Sequence, residues 1–306
     1  MYLPPRMAYE DFVAEFAAAQ GIESPGVLLR DYAEKYSFQI KSRERAKDML
    51  GTVLKHLGDV EGRRVLDVGC AYGAFAIEFA KAGAQVVGVD INDKWLRLAE
   101  ANARNEVELP FLKCDASSHS ALGTLRPHGP FDLVILNDVL EHIYDSVGLL
   151  ANVRGLLKPL GRVYFKVPNG LSTRHVLSEG HKKVYGISLV APDYWQLFVK
   201  APFQIYYRRR AYFDALFQHF GFACEYRNTI ADSDRDQTVR HVLADLRKIE
   251  AGLKPENFES SQQLRALKGP VLDYIAEATD DCATMSWPEL HAKYRVTFWE
   301  GVLTLG

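Results

Sequence analysis

Cysteine is scarce in this chain: four residues, Cys70, Cys114, Cys224 and Cys282, none in a C-x-x-C pair. Neither a disulfide framework nor a zinc knuckle is expected, and a reducing cytoplasm is the expected compartment. Long apolar runs are missing too. None reaches the ~18 residues that a spanning helix needs, so no membrane span is expected. The N-terminus lacks the basic-then-apolar order of a secretory signal. Nor is there an excess of one charge. With 37 basic and 39 acidic residues the net charge is -2, which gives no global attraction to nucleic acid or anionic membrane. Repeats and low-complexity tracts are absent. What is present is 306 residues, 48% of them hydrophobic, enough for one large core or a core with a cap.

The most informative stretch is Val65-Leu66-Asp67-Val68-Gly69-Cys70-Ala71-Tyr72-Gly73, followed by Val86-Val87-Gly88-Val89-Asp90. A short apolar run enters a turn with two glycines, a helical pattern follows, and a second apolar run ends in an acid. This is a strand, turn, helix, strand unit. Gly69 and Gly73 permit backbone angles and close approaches that a side chain blocks. The helix starting near Ala74 points free amides at the turn. Asp90 stands 21 residues after Gly69, near the spacing of an acid that holds ribose hydroxyls. A dinucleotide turn reads G-x-G-x-x-G, but here Ala71 replaces the middle glycine. Asp67 would also repel a pyrophosphate, whereas it suits a cationic ligand.

These residues resemble motif I of the class I S-adenosylmethionine-dependent methyltransferases, and Asp90 resembles the motif II acid. Further matches follow in order. Phe111-Leu112-Lys113-Cys114-Asp115-Ala116 is similar to motif III. Phe131 to His142, ending Leu140-Glu141-His142, is similar to motif IV of the small-molecule branch. Leu156-Leu157-Lys158-Pro159-Leu160-Gly161-Arg162-Val163 resembles the turn into strand five. The resemblance spans roughly 45 to 230. It implies an α/β, Rossmann-like, seven-stranded and mostly parallel sheet with an antiparallel last strand and helices on both faces. It also implies S-adenosyl-L-methionine as cofactor, held by Asp67, Gly69, Cys70, Ala71, Gly73, Asp90, Ile91, Asp115, Ala116 and Asn137.

Along the chain, residues 1–60 read as a helical N-terminal cap, with Ser24-Pro25 opening one helix. Residues 61–234 read as the methyltransferase domain, with strands expected at 64–68, 85–89, 109–113, 131–136 and 161–167. A segment at 169–207, rich in aromatics and histidines, breaks the rhythm and is read as a substrate lid. A helix from Arg208 to Phe220, ended by Gly221, and a strand from Phe222 to Ile230 close the domain as an antiparallel hairpin. Residues 235–306 read as an all-helical extension, with Ser286-Trp287-Pro288-Glu289 as a capping box. The helical ends are candidates for a homodimer contact.

Methyl transfer to oxygen requires near-attack geometry and removal of a proton. His142, just after the fourth strand, is the first candidate base. His175 and His181 in the lid are the other base candidates and Tyr185 a candidate to orient the acceptor, although such residues more often serve turns and packing. Asp138, Glu141 and His142 form an alternative ligand set for a divalent cation, but neighbours in sequence converge only through a special turn, so no metal is expected. Arg208-Arg209-Arg210 is read as a solvated helix start. Asp232 to Asp236 lacks the glycine and last ligand of a calcium loop and reads as a cap by Asp236.

The favoured reading is methyl transfer to a small-molecule or glycan acceptor, most readily at a hydroxyl oxygen, without nucleic acid. N-methylation and nucleic-acid methylation are the nearest alternatives. Asn137-Asp138-Val139-Leu140 lacks the proline and aromatic of an N-P-P-Y-like clamp. A cofactor-binding scaffold without turnover, and a dehydrogenase, stand further off.

Overall fold

The computed structural model describes residues 8–200, 202–227 and 234–306. The chain begins with helices α1 (Ala8–Ala19), α2 (Pro25–Asp31), α3 (Ser37–Ile40) and α4 (Ser42–Leu57). Ser24 caps α2, its Oγ accepting the Val27 amide at 3.3 Å, with Pro25 in the first turn where no amide proton is needed. Phe12, Val13, Phe16 and Ala17 recur at helical spacing and pack with Leu28 and Leu98.

Alternating strands and helices follow: β1 (Arg64–Val68), α5 (Ala74–Lys81), β2 (Gln85–Asp90), α6 (Asp93–Ala103), β3 (Phe111–Lys113), α7 (Ala121–Leu125), β4 (Phe131–Asn137), α8 (Ser146–Leu156) and β5 (Leu157–Pro168). The apolar runs of β1, β2 and β4 are buried nearly throughout, as expected of parallel strands covered on both faces. One face carries Leu66, Val87, Val134 and Phe165; the other carries Val65, Val86, Leu133 and Tyr164.

After β5 come α9 (Thr173–Leu177), α10 (Arg210–His219), β6 (Phe222–Tyr226), α11 (Arg235–Ala251), α12 (Ser261–Thr284), α13 (Trp287–Tyr294) and β7 (Phe298–Leu305). The seven strands lie in the order β3-β2-β1-β4-β5-β7-β6. β1 pairs in parallel with both β2 and β4, and β7 is antiparallel to β5 and β6. The sheet reverses its order at β1 and β4, and the crevice outside their carboxyl ends is where such sheets bind ligands.

The tail departs from the sequence expectation. Residues 235–306 are not helical to the end, because Phe298–Leu305 forms β7 and inserts between β5 and β6. The hairpin partner of β6 therefore comes from the far end of the chain. A run of eight residues becomes a strand here because β5 and β6 offer it hydrogen bonds on both edges, which local pattern does not reveal. Gly301 permits this, since a Cβ there would stand 2.7 Å from the Glu225 carbonyl oxygen. β6 itself ends at Tyr226, and the expected continuation beyond 227 lies outside the described residues, as do Asp232 and Ser233. Asp234, not Asp236, caps α11, accepting the Gln237 amide at 2.7 Å. Ser286 is the N-cap of α13, but its hydroxyl bonds Glu289 rather than a backbone amide.

The expected lid and the tail helices share one core. Val176, Ile187, Trp195 and Phe203 pack with Val242, Leu246, Leu267, Tyr274 and Leu290.

Candidate active site

The turn after β1 is built from left-handed residues. Gly69, Ala71 and Gly73 have φ of 68°, 46° and 70°. At Gly69 a Cβ would stand 2.8 Å from Val139, and at Gly73 2.7 Å from Phe111, so both positions are closed to side chains. Ala71 holds its unusual φ without glycine, at a cost of order 1 kcal/mol, and its amide donates to Asp90 Oδ2 at 3.0 Å. Asp90 Oδ1 accepts the Asn92 amide at 2.9 Å. The Asp90 carboxylate is thus fixed across the turn by one amide per oxygen, and each oxygen keeps capacity for a further donor. Burial raises its pKa, against the pull of those amides.

Asp67 is buried beneath the turn, and its Oδ2 accepts the Ala76 amide at 3.2 Å, satisfying one open donor of α5. Burial raises its pKa to about 7, with the Asp90 charge adding to the effect. Cys70 is also buried, and burial pushes its thiol up, so it is not a nucleophile. Ile91 is exposed beside Asp90. Asp115 accepts the Ser117 amide and hydroxyl on Oδ1, and Ala116 is buried next to it.

At the end of β4, Asn137 donates to Asp138 Oδ2 at 3.2 Å, while Asn137 Oδ1 and Asp138 Oδ1 are buried without a hydrogen-bond partner. Asp138 has φ of 53°, a conformation that Asp tolerates better than most residues. Glu141 is 1% exposed and neither carboxylate oxygen has a hydrogen-bond partner. Burial, followed by the neighbouring Asp138, raises its pKa well above the ordinary carboxylate range.

His142 and His181 meet at this point. Their rings lie 5.3 Å apart, edge to face. His142 Nδ1 lies 3.2 Å from the Gln204 carbonyl oxygen, which leaves Nε2 free, 3.9 Å from Glu141 Oε1. Burial, and then His181, lower its pKa, so it is neutral at pH 7. His181 Nδ1 lies 2.7 Å from Glu179 Oε1. Glu141, His142 and His181 each offer one ligand atom, spread over up to 4.8 Å. The grouping could hold a metal ion, and Asp138 is not part of it.

The segment over this turn is latched in place. The Tyr206 amide donates to the Glu141 carbonyl, and Arg208 donates to the carbonyls of Leu140 and Tyr144. The arginine cluster opens α10 largely in solvent, as the sequence suggested: Arg209, the N-cap, is 62% exposed and pairs with Glu277, and Arg210 is 43% exposed and stacks on Tyr226.

Two lid candidates are not gathered here. The Tyr185 hydroxyl donates to the Ile249 carbonyl and its ring rests on Phe258, so it buttresses α11. His175 is buried, with Nδ1 on the Asn169 carbonyl, among Tyr207 and Phe298. Sequence reasoning missed Glu179. One signal was available: it is one of only two acids between 169 and 207, and it stands two residues before His181.

Residues 38–226 match the family model described as "Methyltransferase domain". The chain belongs to that family. This methyltransferase domain is 38% identical over 125 residues to a ubiquinone biosynthesis O-methyltransferase of Albidiferax ferrireducens, covering 41% of this chain and 49% of the relative. The corresponding Vibrio campbellii protein is 33% identical over 121 residues, covering 39% and 50%. The chain thus spans about half the length of the curated relatives it matches. A Mesorhizobium loti S-adenosylmethionine-dependent methyltransferase superposes with a TM-score of 0.49 at 18% identity, covering 83% of this chain and 96% of that one.

Proposed function

We propose that this methyltransferase uses S-adenosyl-L-methionine to methylate a hydroxyl oxygen of a small molecule. The observation that carries the reading is the β1 turn, where three left-handed residues and two buried carboxylates meet at the carboxyl edge of the reversal point. When bound, the cofactor supplies an electrophilic methyl group on a cationic sulfur.

The residues present suit that molecule. Asp90, fixed by two amides, retains acceptor capacity for ribose hydroxyls. Asp67, poised near neutrality, gains its charge most easily beside an ammonium group. Gly69 and Gly73 bring backbone close, and Asp115 stands at the end of β3 for an adenine amine. The two buried acceptors of Asn137 and Asp138 are available to donors near the methionine end.

The acceptor's proton passes to the His142–His181 pair, whose Nε2 atoms are not held by the hydrogen bonds that fix each Nδ1. Tyr144, 79% exposed and packed on Tyr206, offers an aromatic face beside the pair. The name of the relatives favours oxygen over nitrogen as the acceptor atom.

Isothermal titration with S-adenosylmethionine tests the cofactor. Wild type is expected to bind, and Asp90→Ala to lose at least tenfold in affinity. No binding, or binding unchanged by the substitution, would sink the reading. S-adenosylhomocysteine release against phenols, glycans and nucleotide sugars then identifies the acceptor class.

A further inference from the structure

Glu179 is fully buried, yet its carboxylate is well provided with donors. Oε1 faces the His181 amide at 2.8 Å, His181 Nδ1 at 2.7 Å and the Tyr207 hydroxyl at 2.5 Å, and Oε2 accepts the Lys182 amide. Burial alone would raise its pKa, but the bonds from His181, Lys182 and Tyr207 hold it down to about 2. A buried, ionised carboxylate on one imidazole nitrogen fixes the tautomer, leaves the opposite nitrogen as a base, and stabilises the imidazolium that forms. His142 lacks this support, since its Nδ1 has only a backbone carbonyl.

We propose that Glu179 is a positioning residue that makes His181 the base of the histidine pair. The inference deepens the methyl-transfer reading and rests on it. His181 Nε2 takes the hydroxyl proton as the acceptor oxygen bonds the methyl carbon. The carbon–sulfur bond breaks with its electron pair going to sulfur. The positive charge that began on sulfur ends on the imidazolium beside Glu179. His142, Glu141 and His175 are the other titratable groups that face His181.

Two readouts test this on the full chain. Long-range proton–nitrogen spectra of the imidazoles should show His181 protonated at Nδ1 in wild type, with that preference lost in Glu179→Gln and kept in Tyr207→Phe. A wild-type His181 protonated at Nε2 overturns the proposal. This spectrum needs no turnover, so a failed methyl-transfer reading would appear separately, as absent cofactor binding. Kinetically, His181→Ala should lower kcat at least 100-fold with cofactor affinity within about twofold, and added imidazole should restore part of the rate. His142→Ala should cost less. A near-normal rate in His181→Ala overturns the proposal. So does wild-type activity that vanishes on chelation and returns with zinc or magnesium, which would assign Glu141, His142 and His181 to an ion.

Discussion

Asp67 carries the clearest consequence at the scale of single residues. It ionises at about 7 in the folded chain against an ordinary 3.8, because it is buried and faces Asp90. Between those values the folded state holds a proton that the unfolded state has lost. Stability from this group is therefore greatest below pH 4 and falls as pH rises through 7, by an order of 4 kcal/mol at most. Asp67→Asn should remove that slope, so its thermal midpoint at pH 8 exceeds that of wild type, while cofactor affinity falls. Melting curves at pH 6 and pH 8 with both proteins check this. A wild-type midpoint that rises between pH 6 and 8 relative to the variant would contradict it. The residue identities Asp67, Gly69, Gly73 and Asp90 were readable from spacing because one βαβ unit places them. Glu179 was not, because its role depends on Tyr207 and on a ring that reaches His142 across the fold.

Between elements, Asn169 joins the end of β5 to the end of α13. Its Nδ2 donates to the Lys293 carbonyl, left open in the last turn of α13, and to the Val296 carbonyl just beyond it, both at 2.8 Å, with the Ala292 carbonyl at 3.4 Å. Its Oδ1 accepts the Leu171 amide, and its own amide donates to Thr297. Asn169→Ala would remove those part-buried hydrogen bonds and should cost about 2–3 kcal/mol, seen as a lower urea midpoint with an unchanged slope. In the sequence, Asn169 marked only the start of the segment that breaks the strand-helix rhythm. Helix starts fared better: Ser24 was legible since a cap acts within four residues. The lid's register was not, since Trp195 and Phe203 are placed by helices α11 and α12.

For the molecule as a whole, β7 matters most. It supplies partners to Arg162–Pro168 of β5 and to all five residues of β6. Trp299, Val302 and Leu303 are buried with it. Deleting 298–306 would expose both neighbouring edges and remove those side chains, so the truncated chain is expected to lose cooperative unfolding and to aggregate. Calorimetry and size-exclusion chromatography would show this, and a truncated monomer with a sharp transition would refute it. The tail helices that precede β7 share a core with residues of the 169–207 segment.

Amino-acid order alone sufficed for the parallel half of the sheet, its turn and its acids, because each strand-turn-helix step leaves its own period and spacing along the chain. It also offered His142 and His181 as candidate bases. Their meeting at 5.3 Å, the carboxylate behind one of them and the insertion of β7 needed the folded chain. Each is a pairing between segments whose local patterns fit several partners, and only packing into one shared core selects among them.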